Sequence, residues 1–244
     1  MSVIVTEHLA KTFWRNKVAL QGLDLEVKDS EVFGLFGPKG AGKSTTIRLL
    51  LNFLKPTRGT ARLFGEPAND TTHRHRLGYL PEDISLPRYY TGRSLLDFCG
   101  RLSRLNRPER ERRTDHLLER FRLKDDAASK ISKYSPSATQ WLGIAQALMG
   151  NPDLLILDEP LSNFSTSDQT EFGELIHELR NQGTTVFLAS HAISQLGPMC
   201  DRLAILDQGE LKRLEDLRTW EEKTEAQFDE LFLDAVGKEA ASDG

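Results

Sequence analysis

One glycine-rich segment, Gly37 to Ser44, limits the possible folds of this 244-residue chain more than any other feature. Its letters, GPKGAGKS, match the pattern G-x-x-x-x-G-K-S/T at every fixed position. The apolar run Val32 to Phe36 comes directly before it and predicts a strand buried on both faces. A helical pattern follows it, formed by Ile47, Leu50, Leu51 and Leu54 and ended by Pro56 and Gly59. The segment therefore predicts a strand, a tight turn and a helix, in that order.

A turn of this kind is suited to holding phosphate. Glycines let consecutive backbone N–H groups face inward, and the following helix directs the positive end of its dipole to the same place. In this pattern Lys43 would reach the β- and γ-phosphates, and the hydroxyl of Ser44 would ligate Mg²⁺. A purely structural glycine turn is the alternative interpretation. The predicted nucleotide-binding residues are Gly37, Pro38, Lys39, Gly40, Ala41, Gly42, Lys43, Ser44 and Thr45.

Composition excludes some partners. Hydrophobic residues make up 39% and charged residues 28% of the chain, which is typical of a globular domain. The net charge of −4 gives no electrostatic reason to expect nucleic acid, which favours a basic face, so we expect no nucleic-acid partner. The arginine-rich stretch from Arg107 to Arg113 also contains Glu109 and Glu111, and we interpret it as a solvated helix face.

The expected compartment is the cytoplasm. Cys99 and Cys200 are far apart and lack metal-ligand spacing, which favours a reducing environment. Residues 1–7 show no basic stretch followed by an apolar run, so they predict no signal peptide. No window approaches the roughly 20 apolar residues of a membrane span. We expect the protein to serve any membrane process through a partner.

Further apolar runs alternate with helical patterns. Three runs predict strands, at 154–157, 185–189 and 203–206, and a short strand is expected from Glu210. A helix is predicted over about 168–181. This alternation favours an α/β fold with a mostly parallel sheet, and the two-residue spacing of Leu23, Leu25 and Val27 adds an N-terminal antiparallel β layer.

Between about 91 and 149 the strand signal stops. The apolar residues there fit three helices, so we predict an all-helical insert in the α/β core. The first of these helices would bury one face formed by Leu95, Phe98, Leu102 and Leu105. After about 215 the chain is charged, with an apolar cluster at Phe228, Leu231 and Phe232 that predicts either a small packed helix or a frayed tail.

Two acids follow the predicted strand 154–157. Ligands gather at the carboxyl ends of parallel strands, so Asp158 is placed to ligate Mg²⁺ near the phosphate-binding segment. Glu159 comes next and could orient or deprotonate a water that attacks the γ-phosphate. A strand end with two solvated acids is the structural alternative.

The order of these motifs resembles the nucleotide-binding domains of ABC transporters. The resemblance rests on the phosphate loop, the helical insert, Leu154-Leu155-Ile156-Leu157-Asp158-Glu159-Pro160 and Ser190-His191. It covers about residues 3–214 and is similar to ABC-2 exporter subunits in the stretches 77–82 and 200–205. It implies a P-loop NTPase core at 1–214, with the helical subdomain at about 91–149, and a short C-terminal tail at 215–244.

The resemblance also implies roles for single residues. Phe13 would lie against the adenine ring, with a core aromatic as the alternative, and His191 would contact the γ-phosphate. Glu82 stands where many members have glutamine and would touch Mg²⁺ or the attacking water. The implied cofactors are ATP and Mg²⁺. The implied partners are a membrane-spanning permease subunit and a second ABC ATPase, at the inner face of the cell membrane.

Two stretches depart from the family pattern. Members carry Leu-Ser-Gly-Gly-Gln or a near variant, which covers the partner's ATP, whereas this chain has Tyr134-Ser135-Pro136-Ser137-Ala138. Ser135 is kept, but both glycines are replaced and Pro136 lacks an N–H donor. A later loop reads Asn163-Phe164-Ser165-Thr166 in place of a Gly-Leu-Asp-Pro-like turn. We expect a complete ATP cradle but a poor lid, which favours a heterodimer over a homodimer.

Other functions stay open at this point. The chain could be an ATPase that drives a permease, or a nucleotide-gated regulatory or structural subunit with little hydrolysis. An ABC protein of DNA repair or translation would show paired cassettes, coiled coils or basic extensions. A small-molecule kinase would need an acceptor site and a lid, and a GTPase would need an Asn-Lys-x-Asp sequence. The transported substrate and its direction lie with the membrane partner.

Overall fold

The computed structural model describes residues 1–221 and 223–237, which divide into two units. The first unit contains Met1–His73 and the described residues from Ile176 onward, and the second is Arg74–Leu175. The strands are β1 (Ser2–Phe13), β2 (Lys17–Lys28), β3 (Val32–Phe36), β4 (Arg58–Leu63), β5 (Glu66–Pro67), β6 (Leu77–Leu80), β7 (Leu154–Asp158), β8 (Thr185–Ser190), β9 (Arg202–Asp207) and β10 (Glu210–Asp216). The helices are α1 (Lys43–Leu50), α2 (Gly92–Leu102), α3 (Arg107–Arg120), α4 (Pro136–Leu148), α5 (Thr166–Asn181), α6 (Ile193–Leu196) and α7 (Glu225–Val236).

The first unit contains an antiparallel layer. Its strands lie in the order β2-β1-β4-β5 and pair antiparallel throughout. In β2 the alternating side chains Leu23, Leu25 and Val27 are buried while their neighbours face outward. The predicted N-terminal β layer is therefore confirmed, because a strand with one covered face alternates with period two.

The same unit contains the strands that support the phosphate loop. β3 is buried along its whole length and pairs parallel with β8 on one side and β9 on the other. β10 then pairs antiparallel with β9. Phe36 lies opposite Ser190, so β3 and β8 end at the same level. The residues that follow β3 and β8 therefore leave the sheet next to each other.

Helix α1 ends earlier than its apolar pattern predicted. It stops at Leu50, whereas the pattern continued to Leu54. Asn52 adopts a left-handed conformation with φ of 56°, and the amides of Phe53 and Leu54 both donate to the carbonyl of Arg48. This closing pattern satisfies carbonyls at the helix end and turns the chain away.

The second unit pairs β6 with β7 in parallel and carries α2, α3 and α4. No strand lies in the described stretch from 92 to 148, so the predicted all-helical insert is confirmed. An aromatic row links its helices at centroid distances of 5.0, 4.5 and 6.0 Å, in the order Phe121, Trp141, Phe164 and Phe172.

The predicted buried face of α2 is wrong. Leu95 is buried, but Phe98 is 45% and Leu102 is 69% exposed. The packed side instead includes Leu96 and Gly100, and a Cβ at Gly100 would overlap side chains from α3 and from the residue after α4. A glycine lets the elements approach closely there, so the face bearing Phe98 turns outward.

The chain after residue 215 forms regular structure as far as it is described. β10 continues through Asp216, and Thr224 caps α7 by accepting a bond from the amide of Gln227. Phe228 and Leu231 are buried and Phe232 is half-buried. Residues 238–244 of the predicted tail lie outside the described residues. Within the described part, no helix is both long and apolar enough to cross a membrane.

Candidate functional site

The phosphate-loop segment joins β3 to α1. Gly42 is the residue before α1 and has φ of 113°, a conformation that L side chains rarely adopt. A Cβ at Gly42 would lie 2.6 Å from the carbonyl oxygen of Ala19. The loop is also bonded to the β9–β10 turn, since the amide of Gly209 donates to the carbonyl of Ala41 at 2.9 Å. The neighbouring backbone therefore holds the loop in one shape.

Lys43 lies inside the curve of this loop. Its side chain is buried, with 6% of the residue exposed. Its Nζ donates to the carbonyl oxygens of Gly37 at 2.7 Å and Pro38 at 3.2 Å. The ammonium group is thus held among the backbone groups that would surround a phosphate.

The start of α1 faces the same loop. Gly42 has no side chain to accept the first amides of the helix, and the first turn contains no acidic residue. Ser44 and Thr45 are half-buried there, and the Oγ1 of Thr46 donates back to the carbonyl of Gly42 at 3.0 Å. The helix end keeps its positive partial charge and its amide donors for an anion.

His191 leaves the sheet beside this loop. Gly37 follows Phe36 and His191 follows Ser190, and Phe36 and Ser190 lie opposite each other in the parallel pair. Ser190 is buried and its Oγ accepts a bond from the amide of Ala192 at 3.1 Å, while His191 itself is exposed. The structure therefore brings His191 and the phosphate loop to one edge of the sheet.

Phe13 ends β1 in the same unit. It is 38% exposed, and the ammonium of Lys11 lies 5.3 Å from its ring centroid. The alternative interpretation of Phe13 as a core aromatic is wrong, because a core ring would be covered. The next residue, Trp14, is 89% exposed.

The two predicted acids lie at the end of β7 in the second unit. Asp158 is 3% and Glu159 is 8% exposed. Glu159 has φ of 48°, which is uncommon outside glycine and is found at strained functional positions. Leu80 pairs with Leu157, so the exposed Glu82 follows β6 at the edge where β7 delivers the acids. The structure brings Glu82, Asp158 and Glu159 to one strand edge of this unit.

Ser135 caps helix α4. Its Oγ accepts the amide of Ala138 at 3.1 Å, and its carbonyl accepts the amide of Thr139 at 2.9 Å. Pro136 occupies the first position of the helix and has no N–H to offer. The first turn of α4 therefore has fewer amide donors than the glycine pattern would supply.

Two side chains that support this region were not predicted from the sequence. Gln140 donates to the carbonyl of Pro160 at 2.7 Å and accepts a bond from the amide nitrogen of Asn163 at 3.2 Å. It thus connects α4 to the loop after Glu159. Its polar side chain is buried at 1% exposure, so both bonds matter for the fold. No motif in the sequence distinguishes Gln140.

Asp168 is the second missed residue. It accepts bonds from Ser165 Oγ at 2.6 Å, Ser137 Oγ at 3.1 Å and Trp141 Nε1 at 3.2 Å. Burial by itself would raise the pKa of Asp168, but these hydrogen bonds outweigh it and lower the pKa below the usual range. The spacing of Ser165 and Asp168 is that of a capping box, a signal that could have identified the pair.

The comparisons with known proteins decide the family. The family model described as ABC transporter matches residues 20–162, more than half of the chain. The chain belongs to the ABC transporter family.

Two ABC relatives and one solved cassette show the extent of the similarity. An uncharacterized ABC transporter ATP-binding protein of Nostoc sp. is 38% identical over 86% of this chain and 65% of its own length. The daunorubicin/doxorubicin resistance ATP-binding protein DrrA of Streptomyces peucetius is 34% identical over 84% of this chain and 63% of its own length. The dimeric structure of a bacterial ABC transporter cassette superposes with a TM-score of 0.82 and 25% identity, covering 89% of this chain and 100% of that one. The chain thus spans less than two thirds of both relatives.

The comparisons also confirm the predicted fold class. The solved ABC cassette has the P-loop α/β fold that the phosphate loop and the alternating strands predicted. The roles of single residues stay predictions. They fall into two groups that the structure describes separately, one in each unit. Phe13, the segment 37–45 and His191 lie in the first unit, and Glu82, Ser135, Asp158 and Glu159 lie in the second.

Proposed function

We propose that this chain binds and hydrolyses ATP as the nucleotide-binding subunit of an ABC transporter, and so drives a separate membrane-spanning permease subunit. The observation that carries the proposal is the position of Lys43, whose buried ammonium is held by the carbonyls of Gly37 and Pro38 next to an uncapped helix start. A cation and converging amides suit a polyphosphate. Membership of the ABC family supports ATP as that ligand.

The proposed roles follow from the chemistry of each side chain. Phe13 presents a partly exposed ring on which adenine can stack, and His191 supplies an N–H for the γ-phosphate. Glu159 is the carboxylate that orients the attacking water or accepts its proton. Its left-handed backbone directs the side chain differently from that of a regular strand residue.

The oxygen ligands of this chain fit a magnesium ion. Mg²⁺ prefers carboxylate, hydroxyl and phosphate oxygens, and the hydroxyl of Ser44 and the carboxylates of Asp158 and Glu82 would each offer an oxygen of this kind. Asp158 is a nearly covered carboxylate, a state that favours a bound cation. When bound, the ion neutralises charge on the phosphates.

We also propose the cellular setting and the partners. The subunit would lie at the cytoplasmic face of the membrane, docked on its permease. Because the Nod factor export ATP-binding protein I of Paraburkholderia xenovorans is also a relative, export is the proposed direction. The second nucleotide-binding subunit would be a different ABC ATPase. The start of α4 supports this, since Pro136 removes a donor from the segment that would cover a partner's ATP.

A binding and turnover experiment tests the central proposal. Wild type, Lys43→Met and Glu159→Gln are compared by calorimetric ATP titration and by phosphate release. We expect Lys43→Met to weaken ATP binding, since it removes the loop's buried cation, and Glu159→Gln to keep binding and lose turnover. Lys124→Met and Glu174→Gln, both exposed, are the matched controls and should behave as wild type.

The results separate the possible functions. Failure of the wild-type chain to bind ATP would refute the proposal. Binding without turnover, even when the permease and the second ATPase are present, would identify a nucleotide-gated subunit instead of an ATPase.

A second experiment tests the heterodimer. Phosphate release is measured for the chain by itself and after addition of the second ATPase of its transporter. We expect slow turnover by the chain alone and a clear increase in the mixture. The double variant Pro136→Gly/Ser137→Gly restores the glycine pattern and should raise turnover of the chain alone, whereas Ser167→Gly should not. Rapid turnover by the unmodified chain would show that its own segment 134–138 supports hydrolysis without a second ATPase.

A further inference from the structure

The short helix that follows His191 depends on packing for its position. α6 contains four residues, Ile193–Leu196, and its N-cap residue Ala192 makes no side-chain cap bond. One turn of helix is unstable by itself, because fixing its backbone is not repaid by enough hydrogen bonds. Ile193 and Leu196 are both buried, so the core of the first unit holds the turn.

Helix α7 packs directly on the end of this turn. Gly197 has φ of −53°, which any residue can adopt, so its glycine is required by space alone. A Cβ at Gly197 would lie 2.7 Å from two ring carbons of Phe228. Phe228 is fully buried and stacks on Trp220 at a centroid distance of 5.4 Å. The ring thus rests against the backbone of residue 197.

Residues that precede α7 bond to the end of the connection between α6 and β9. Lys223 Nζ donates to the carbonyl of Cys200 at 3.0 Å, and the amide of Cys200 donates to the carbonyl of Gly197 at 2.9 Å. The amide of Leu217 donates to the carbonyl of Asp201 at 2.8 Å. Leu217, Lys223 and Phe228 therefore hold the chain between β8 and β9, which carries His191.

We infer that α7 positions His191, and that Phe228 is the positioning residue through which it acts. The inference rests on the proposed function, in which His191 contacts the γ-phosphate. Loss of the Phe228 ring would free Gly197 and let α6 shift, and His191 would shift with it. The phosphate loop is held by β3 and by the β9–β10 turn, so nucleotide binding should be unaffected. We therefore expect loss of the Phe228 ring to lower kcat and to leave KM unchanged.

Phe228→Ala in the full-length chain, assembled with its partner subunits, tests the inference. We expect kcat to fall on the order of tenfold to a hundredfold, because a misplaced group loses most of its catalytic effect, with the Kd for ATP unchanged. Phe232→Ala, a half-buried phenylalanine of the same helix, is the matched control and should keep the wild-type kcat. In a His191→Ala background, Phe228→Ala should lower kcat no further, since the two changes remove the same contact.

Two further measurements separate positioning from a general loss of stability. Gly197→Ala should lower kcat by pushing on the ring, and the added change Phe228→Leu should restore part of it by making room. The imidazole resonances of His191, assigned by comparison with His191→Ala, should shift or broaden in Phe228→Ala without any nucleotide.

The outcomes distinguish this inference from the proposed function. Unchanged His191 resonances, or equal losses of kcat with and without His191, would overturn the role of Phe228. Absence of ATP turnover in the wild-type complex would overturn the proposed function, and the resonances would still report on the positioning of His191 by α7.

Discussion

Replacing Gly42 by alanine tests how tightly the phosphate loop is built. At φ of 113° an alanine is strained, which costs roughly 1–2 kcal/mol. The new Cβ would also lie 2.6 Å from the Ala19 carbonyl oxygen, well inside the roughly 3.5 Å of ordinary contact. Overpacking of this kind costs about 1–3 kcal/mol. Gly42→Ala should therefore lower the free energy of unfolding by about 2–5 kcal/mol.

Gly40 provides the matched control in the same loop. Its φ of 84° is also left-handed, but a Cβ there would meet nothing within 4 Å. Gly40→Ala should therefore cost only the conformational part, about 1–2 kcal/mol. Urea unfolding of both variants gives the two free energies on one scale, provided that the slope of the unfolding free energy with urea concentration is the same for both.

The contact with Ala19 is the assumption under test. Ala19 lies in β2, whose register with β1 is set by neighbouring pairs, and the nearby amide of Gln21 donates to the carbonyl of Gly209. The carbonyl of Ala19 therefore has little room to move. Equal destabilisation by the two alanines would show that the carbonyl moves aside, and greater destabilisation by Gly40→Ala would refute the reasoning altogether.

Three further predictions concern other parts of the chain. Trp141→Ala removes the centre of the aromatic row in the second unit and should cost about 3–5 kcal/mol in chemical denaturation, and a loss below about 1 kcal/mol would contradict this. The hydrogen bond from the Arg218 side chain lowers the pKa of Asp216 from 3.8 to about 2, so its stabilisation is present above about pH 4 and is lost as the pH falls toward 2. In Asp216→Asn the urea midpoint should change less with pH over that range, and a pH dependence parallel to that of the wild type would refute the stabilising role of Asp216. Burial raises the pKa of Cys99 to about 11, so alkylation followed by mass spectrometry should be slow at pH 7.5 and quicken with pH, and rapid labelling at pH 7.5 would show that the thiol is more open than its burial indicates.

Elements with a strong local signal were predicted well. The buried strand β3 was expected at the residues where it is found, and β7 and β8 each extend one residue beyond their apolar runs. A continuous apolar run needs burial on both faces, so its position depends little on the neighbours. The family assignment, drawn from the order of motifs, is confirmed by the family model that matches residues 20–162.

Predictions failed where packing chooses between local alternatives. The apolar residues of α2 predicted a buried face that includes Phe98 and Leu102, but the close approach at Gly100 leaves both of them exposed. The end of α1 was decided by Asn52, whose left-handed conformation ends the helix although the apolar pattern continues to Leu54. Neither choice is visible in hydrophobic periodicity.

The amino-acid sequence by itself determined the chemistry of the phosphate loop, because glycines, a lysine and a hydroxyl at fixed spacing act through local backbone geometry. Tertiary structure decided what surrounds that chemistry. The Lys43 ammonium turns back onto the loop carbonyls, and Gly197 supports the ring of Phe228, which lies on a helix beyond two further strands. Contacts between residues distant in the chain leave no periodic trace, since each depends on where the fold brings its partner.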